Sequence, residues 1–176
     1  MAIRPTYTYS HTYSILEISK AAYDEIRQAL SEAGQQHAFH EWTHEVARGG
    51  VVEGERKYEV IDITSRVATA VKEAGVSAGI CSVYVPHATA AVVVNENDDP
   101  QVCEDLLDAL ARLIPEGVWR HDRIDNNGAA HIKAAIVGPG RTIPVLDGKL
   151  LLGTWQAVML AEFDGPCERR VIVTVR

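Results

Sequence analysis

The dipeptide Asp147-Gly148, set between Ile143–Leu146 and Lys149–Leu152, constrains this chain more than any other feature. A two-residue loop of that composition accepts positive φ at both positions, so it predicts a tight hairpin and two antiparallel strands. The flanking segments extend the pattern. Residues 155–163 read as a further strand, Asp164-Gly165-Pro166 as a turn, and residues 169–176 alternate as a last strand. The C-terminal third therefore reads as antiparallel β-structure.

Upstream, strands and helices alternate. Residues 58–63 predict a strand, and Thr64 or Ser65 caps a helix that runs through Val67, Ala70, Val71 and Ala74 and stops at Gly75. Residues 76–85 and 90–94 are rich in β-branched residues and predict strands. Asp98-Asp99-Pro100 starts a second helix, with a buried stripe of Val102, Leu106, Ala109, Leu110 and Leu113, ended by Pro115. Residues 118–128 are irregular, and a short helix follows over 129–137. Arg48-Gly49-Gly50 breaks the chain into an N-terminal extension, 1–50, and a domain, 51–176. The extension predicts a strand over 7–18, then a helix from Ser19 through Ala22, Ile26, Ala29, Leu30 and Ala33 to Gly34. Strands outnumber helices. The expected fold is α+β: a compact, mixed, mostly antiparallel sheet or barrel-like core with flanking helices, plus a small N-terminal β-α extension.

Composition narrows the function. With 24 acidic against 17 basic residues the net charge is −7, which argues against holding nucleic acid or anionic lipid by bulk charge. No apolar run approaches the roughly 18–20 residues of a membrane span. Residues 1–14 are polar and aromatic, unlike a secretory signal, so a cytoplasmic location is expected. Cys81, Cys103 and Cys167 are odd in number and form no Cys-x-x-Cys, so neither a disulfide framework nor a thiolate zinc site is expected.

The groups suited to chemistry sit on irregular segments. Pro86-His87-Ala88-Thr89-Ala90 joins two apolar strands and puts an imidazole and a hydroxyl at a strand end. Asn95-Glu96-Asn97-Asp98-Asp99 holds three carboxylates; capping explains Asp98 and Asp99 but not Asn95 and Glu96. His121 lies in a polar stretch, and His131 and Lys133 are two apart on the short helix, so they face different ways. His87, His121 and His131 would make a three-imidazole metal site if they converged. Each alone reads more readily as a hydrogen-bonded structural histidine. Thr154 and Gln156 would share a strand face beside Gly153.

A separate motif, His40-Glu41-Trp42-Thr43-His44, matches H-E-x-x-H. On a helix its histidines would bind zinc, with the glutamate as general base of a metalloprotease. Gly50 stands where a third ligand would fall, so an amphipathic surface helix is the simpler expectation. The chain has no P-loop, no G-x-G-x-x-G after a strand and no G-x-S-x-G elbow.

Taken in order, Ile61-Asp62-Ile63-Thr64, His87-Ala88-Thr89-Ala90, Asn95-Glu96-Asn97 with Asp99-Pro100, and His121 resemble the YjbQ-like family, whose members are labelled secondary thiamine-phosphate synthases. Ala130-His131-Ile132-Lys133, Gly148-Lys149-Leu150, Gly153-Thr154-Trp155-Gln156 and Glu162-Phe163-Asp164-Gly165-Pro166 continue the resemblance, which covers about residues 52–176. It implies a homotrimer with its polar residues in a pocket near a subunit boundary. His87, His121 and His131 would be a metal or anion site, with zinc or nickel as the metal, or magnesium for phosphoryl chemistry. His87, His131 and Glu96 would be catalytic. Thr89, Asn95, Lys133, Thr154 and Gln156 would bind a phosphorylated small molecule. The implied activity is weak thiamine-phosphate synthesis, joining a pyrimidine diphosphate to a thiazole phosphate with loss of pyrophosphate, or a metal-assisted hydrolysis. The native substrate stays open, and a non-enzymatic trimer binding a metal, an anion or a metabolite is the other reading. Family members carry His-Thr-Thr-Ala or His-Thr-Ser-Ala where this chain has His87-Ala88-Thr89-Ala90, so one hydroxyl is missing.

Overall fold

A computed structural model describes residues 38–45 and 57–176. The strand and helix expected over residues 7–34 lie outside the described residues. Among the described residues eight strands form two antiparallel sheets. They are β1 (Ala38–Glu45), β2 (Glu59–Asp62), β3 (Ala78–Tyr84), β4 (Ala90–Glu96), β5 (Gly140–Leu146), β6 (Lys149–Leu150), β7 (Gln156–Glu162) and β8 (Glu168–Val175). The larger sheet has the order β1-β8-β3-β5-β6 and the smaller β2-β7-β4. The described residues also hold three α-helices: α1 (Thr64–Ala74), α2 (Pro100–Leu113) and α3 (Gly128–Val137).

The β5–β6 hairpin turns on Asp147 at φ 51° and Gly148 at φ 69°, the geometry its two-residue loop predicts. Helix α1 ends on Gly75 in the left-handed region. Its start differs in detail: the Asp62 carboxylate accepts from Thr64 N at 2.8 Å, while the Thr64 hydroxyl accepts from Val158 N at 2.9 Å. At α2, Asp99 accepts from Gln101 N at 2.9 Å and Pro100 opens the helix, as expected.

Burial explains the apolar runs. The smaller sheet is covered on both faces, so β4 and β7 read as almost continuous hydrophobic stretches. One face, through Ala90, Val92, Val158 and Leu160, packs with α1 residues Val67 and Val71 against Val83, Ile143, Val171 and Val173 of the larger sheet. The other, through Ala91, Val93, Met159 and Ala161, packs on Leu110 and Ile114 at the end of α2 and on Ala129, Ala130 and Ala134 of α3. The α2 stripe is rotated from its expected position. Cys103, Leu106, Leu107, Leu110 and Ile114 face the core, and Leu113 is 76% exposed.

The H-E-x-x-H segment is not a helix. Ala38–Glu45 is strand β1, paired antiparallel with β8, His40 opposite Val173 and His44 opposite Arg169. An extended strand spreads Cα atoms four residues apart to about 13 Å, where a helix would bring the side chains within one turn. The helical zinc geometry is therefore absent, and the metalloprotease reading loses its basis. The segment instead lengthens the larger sheet beyond β8.

Candidate functional site

The β4–β7 ladder divides the candidate residues. Ala90 pairs with Glu162 at one end and Glu96 with Gln156 at the other. Six residues of strand separate those pairs by about 20 Å. His87 and Thr89 lie just before the first end, whereas Asn95, Glu96 and Gln156 occupy the second. Thr154 lies there too, in the turn before β7, and Gln156 accepts from Gly153 N at 2.8 Å.

At the first end His87 stands on a buried polar network. Glu162 is fully buried and Arg169 is 4% exposed. The Arg169 guanidinium holds the Glu162 carboxylate with two nitrogens, Nη2 donating to Oε1 at 2.7 Å and Nε to Oε2. The same Oε1 accepts from Asp164 N at 2.8 Å. Arg169 Nη2 also donates to Thr89 Oγ1 at 3.1 Å, and Nη1 lies 3.0 Å from His87 Nε2. On the other side of the ring Nδ1 accepts from Thr89 N at 3.2 Å and stands 3.1 Å from Thr89 Oγ1, so both ring nitrogens are held. Burial and the Arg169 charge hold the imidazole below the ordinary histidine range, against opposing pulls from Glu162 and Asp164. His87 is thus a neutral, oriented imidazole with both nitrogens engaged.

The other two histidines meet each other. His121 and His131 have ring centroids 4.9 Å apart and nearly perpendicular planes. The contact depends on a close approach of backbone. His121 sits in the 3₁₀ turn Arg120–Arg123, whose Asp122 accepts from Gly128 N at 2.8 Å. A Cβ at Gly128 would stand 2.7 Å from Trp119 Cβ and 2.8 Å from Asp122 Oδ1, so only glycine lets α3 start there. Asp125 lies 3.9 Å from His121 Nε2, and Asn127 donates to Asp164 at 2.8 Å, tying α3 to the Glu162 end of β7. His131 is near enough to His87 for its charge to disfavour protonation of the His87 ring.

Three imidazoles thus share a neighbourhood without forming a metal site. Both His87 nitrogens are occupied, and among the described residues no three His, Cys, Asp or Glu side chains are placed to hold a metal ion. Among the described residues the expected zinc or nickel ligand set is not assembled within one chain.

Lys133 packs against Tyr58. It is 2% exposed, and its ammonium lies 4.0 Å from the centroid of the Tyr58 ring. Tyr58 OH donates to Glu116, which also pairs with Lys57 at 3.0 Å. Burial holds the lysine below its ordinary value, with Glu116 opposing. Burial and Glu116 hold the Tyr58 phenol well above its own. Among the described residues no acceptor meets the Lys133 ammonium, so its burial is costly. Lys133→Met should therefore stabilise the protein by about 1–2 kcal/mol, the desolvation relief exceeding the lost cation–π contact. The denaturant midpoint at unchanged slope measures this, and a lower midpoint would refute it.

Sequence reasoning missed Glu162, Arg169, Asp164 and Asn127. A signal was present: Glu162 interrupts the apolar run from Ala157 to Phe163, and a carboxylate inside such a run needs a buried cation.

The family described as UPF0047 protein YjbQ-like matches residues 51–176. The chain belongs to the YjbQ-like UPF0047 family. A UPF0047 protein of Methanocaldococcus jannaschii is 44% identical over 120 residues, which cover 68% of this chain and 86% of that one. The UPF0047 protein YugU of Bacillus subtilis is 39% identical over 65% of this chain and 86% of its own length. A crystal structure of a YbjQ-like protein of unknown function from Sulfolobus solfataricus superposes with a TM-score of 0.71 at 37% identity, covering 79% of this chain and 96% of that one. An uncharacterised YjbQ/UPF0047 protein from Clostridium acetobutylicum gives 0.70 at 39%, covering 78% and 99%. The YjbQ-like match begins at residue 51, so β1 lies ahead of the region that the family model matches. No helix among the described residues is long and apolar enough to cross a membrane.

Proposed function

We propose that this YjbQ-like protein is an acid–base catalyst acting on a phosphorylated small molecule, with His131 exchanging the proton and the site completed between subunits of a homotrimer. The observation that carries the reading is the His131 imidazole. Its ring meets that of His121 nearly at right angles, and among the described residues neither nitrogen meets a hydrogen-bond partner. An imidazole left available beside an oriented neighbour suits proton transfer near neutral pH. The neutral, doubly held His87 is then a positioning wall rather than the base. The phosphorylated substrate rests on the family resemblance, and thiamine-phosphate synthesis is one member of that class. In such a reaction protonated His131 would deliver its proton to the departing phosphate oxygen.

The trimer is supported by the separation along β4 and β7. Glu96 and Gln156 cannot reach His131 within one chain, and a closed head-to-tail ring would set one end of the ladder against the opposite end of the next. A ³¹P screen of phosphorylated metabolites supplies the assay. Mixed subunits then test the sharing. His131→Ala and Glu96→Gln proteins, each inactive, should regain about a quarter of wild-type activity when unfolded and reassembled together, because random pairing makes that share of sites intact. No regain would refute the shared site. No turnover with any phosphorylated compound, despite saturable binding, would refute the catalyst.

A further inference from the structure

The outer face of the larger sheet carries a second set of polar groups. Thr174 of β8 is paired with Ser82 of β3, and Ser82 with Thr142 of β5. Three hydroxyl residues therefore form one row across three adjacent strands. Their neighbours Cys81, Val83, Ile143, Val173 and Val175 are buried in the core, so the row lies on the opposite face. These three residues, with Ile80 and Arg176, line a groove of about 280 Å³. Arg176 is bonded through its backbone to Ile80, one step along the strands from the row. Among the described residues none of the three hydroxyls has a hydrogen-bond partner, and the Arg176 side chain is exposed.

The spacing sets the shape of the ligand. Two inter-strand steps give the row a length of about 9–10 Å. A single phosphate or carboxylate is too short to meet both ends. Hydroxyl donors in line, with a guanidinium at one end and Ile80 as an apolar floor, call for acceptors spread along the ligand. We propose that this groove is a ligand site separate from the histidines, for an elongated small oxyanion with two anionic groups, either a diphosphate or a dicarboxylate.

The test titrates the ¹⁵N-labelled full chain with pyrophosphate, succinate, inorganic phosphate and acetate. Pyrophosphate or succinate should saturably shift the Ser82, Thr142 and Thr174 amides at about tenfold lower concentration than its single-headed counterpart, and the tighter of the two identifies the anionic group. The Thr142→Val/Thr174→Val double variant and Arg176→Gln should each weaken that binding about tenfold. The His131 ring response to inorganic phosphate, which reports the proposed catalytic site, should stay unchanged. Equal midpoints for double- and single-headed anions, absent saturation, or unaltered binding in the variants would overturn the proposal. A change of mass in Arg176→Gln by light scattering would also overturn it, by making the groove a contact between copies.

Discussion

Arg169→Met is expected to cost about 3–5 kcal/mol, the penalty for leaving one partner of a buried ion pair charged and alone. Glu162 has no solvent of its own, and Arg169 supplies its only cation within hydrogen-bond reach among the described residues. The denaturant midpoint would fall accordingly. Adding Glu162→Gln should recover at least half of the loss. The amide removes the stranded charge and still offers an oxygen to the Asp164 N–H. A single-variant loss below about 1 kcal/mol would mean that the pair does not hold this end of β7 together.

The same variant has a pH signature through His87. In the native protein burial and the Arg169 guanidinium keep that imidazole below the ordinary value of 6.5. Between the two values the unfolded chain binds more protons, so the His87 contribution is complete above about pH 6.5 and is lost as the pH falls through the folded value. Without Arg169 the nearby Glu162 and Asp164 carboxylates are opposed only by burial and His131, and the imidazole should titrate higher than in the native protein. Ring-proton NMR reads the shift directly. An unchanged titration would show that burial alone sets it.

How much of this was legible depended on whether one element or two decide a feature. The Asp147-Gly148 hairpin, the Gly75 stop and the Asp99-Pro100 start are local, and each was readable. The H-E-x-x-H segment was not. A spacing of four falls on one side of a helix, but it is also even, so it falls on one side of a strand. Only pairing with β8, more than 120 residues away, settles β1. The α2 stripe failed by one position because Leu113 and Ile114 are equally apolar, and the partner surface chooses between them. Among site residues, His87 with Thr89 and His121 with His131 came together as close pairs. Glu96, Asn95, Thr154 and Gln156 are distant in one chain, because sequence order says which strands carry them and not which end of a ladder they share. The buried Glu162–Arg169 pair was hidden for a related reason. Both residues flank the turn Asp164-Gly165-Pro166, but only the folded sheet removes them from water.

The sharpest test of the catalytic reading is His131→Ala, which should lower kcat by about 10²–10⁴ with little change in KM, the loss typical of a missing acid–base group. The side chain is half-buried and packs on the His121 ring, so the fold should tolerate its removal. A structural histidine would show the same loss only through misfolding, and two readouts separate the cases. The limb of the pH–rate profile that belongs to His131 should disappear, and imidazole added to the buffer should restore part of the rate. Gly128→Ala makes the complementary prediction. Its Cβ would collide with Trp119 and Asp122, displacing the turn that carries His121 while leaving His131 chemically intact. Its pH limb should therefore persist at reduced rate. If His131→Ala kept its pH limb and resisted imidazole rescue, the proton would move elsewhere. The edge-on pair of rings would then be a packing contact between the 3₁₀ turn and α3.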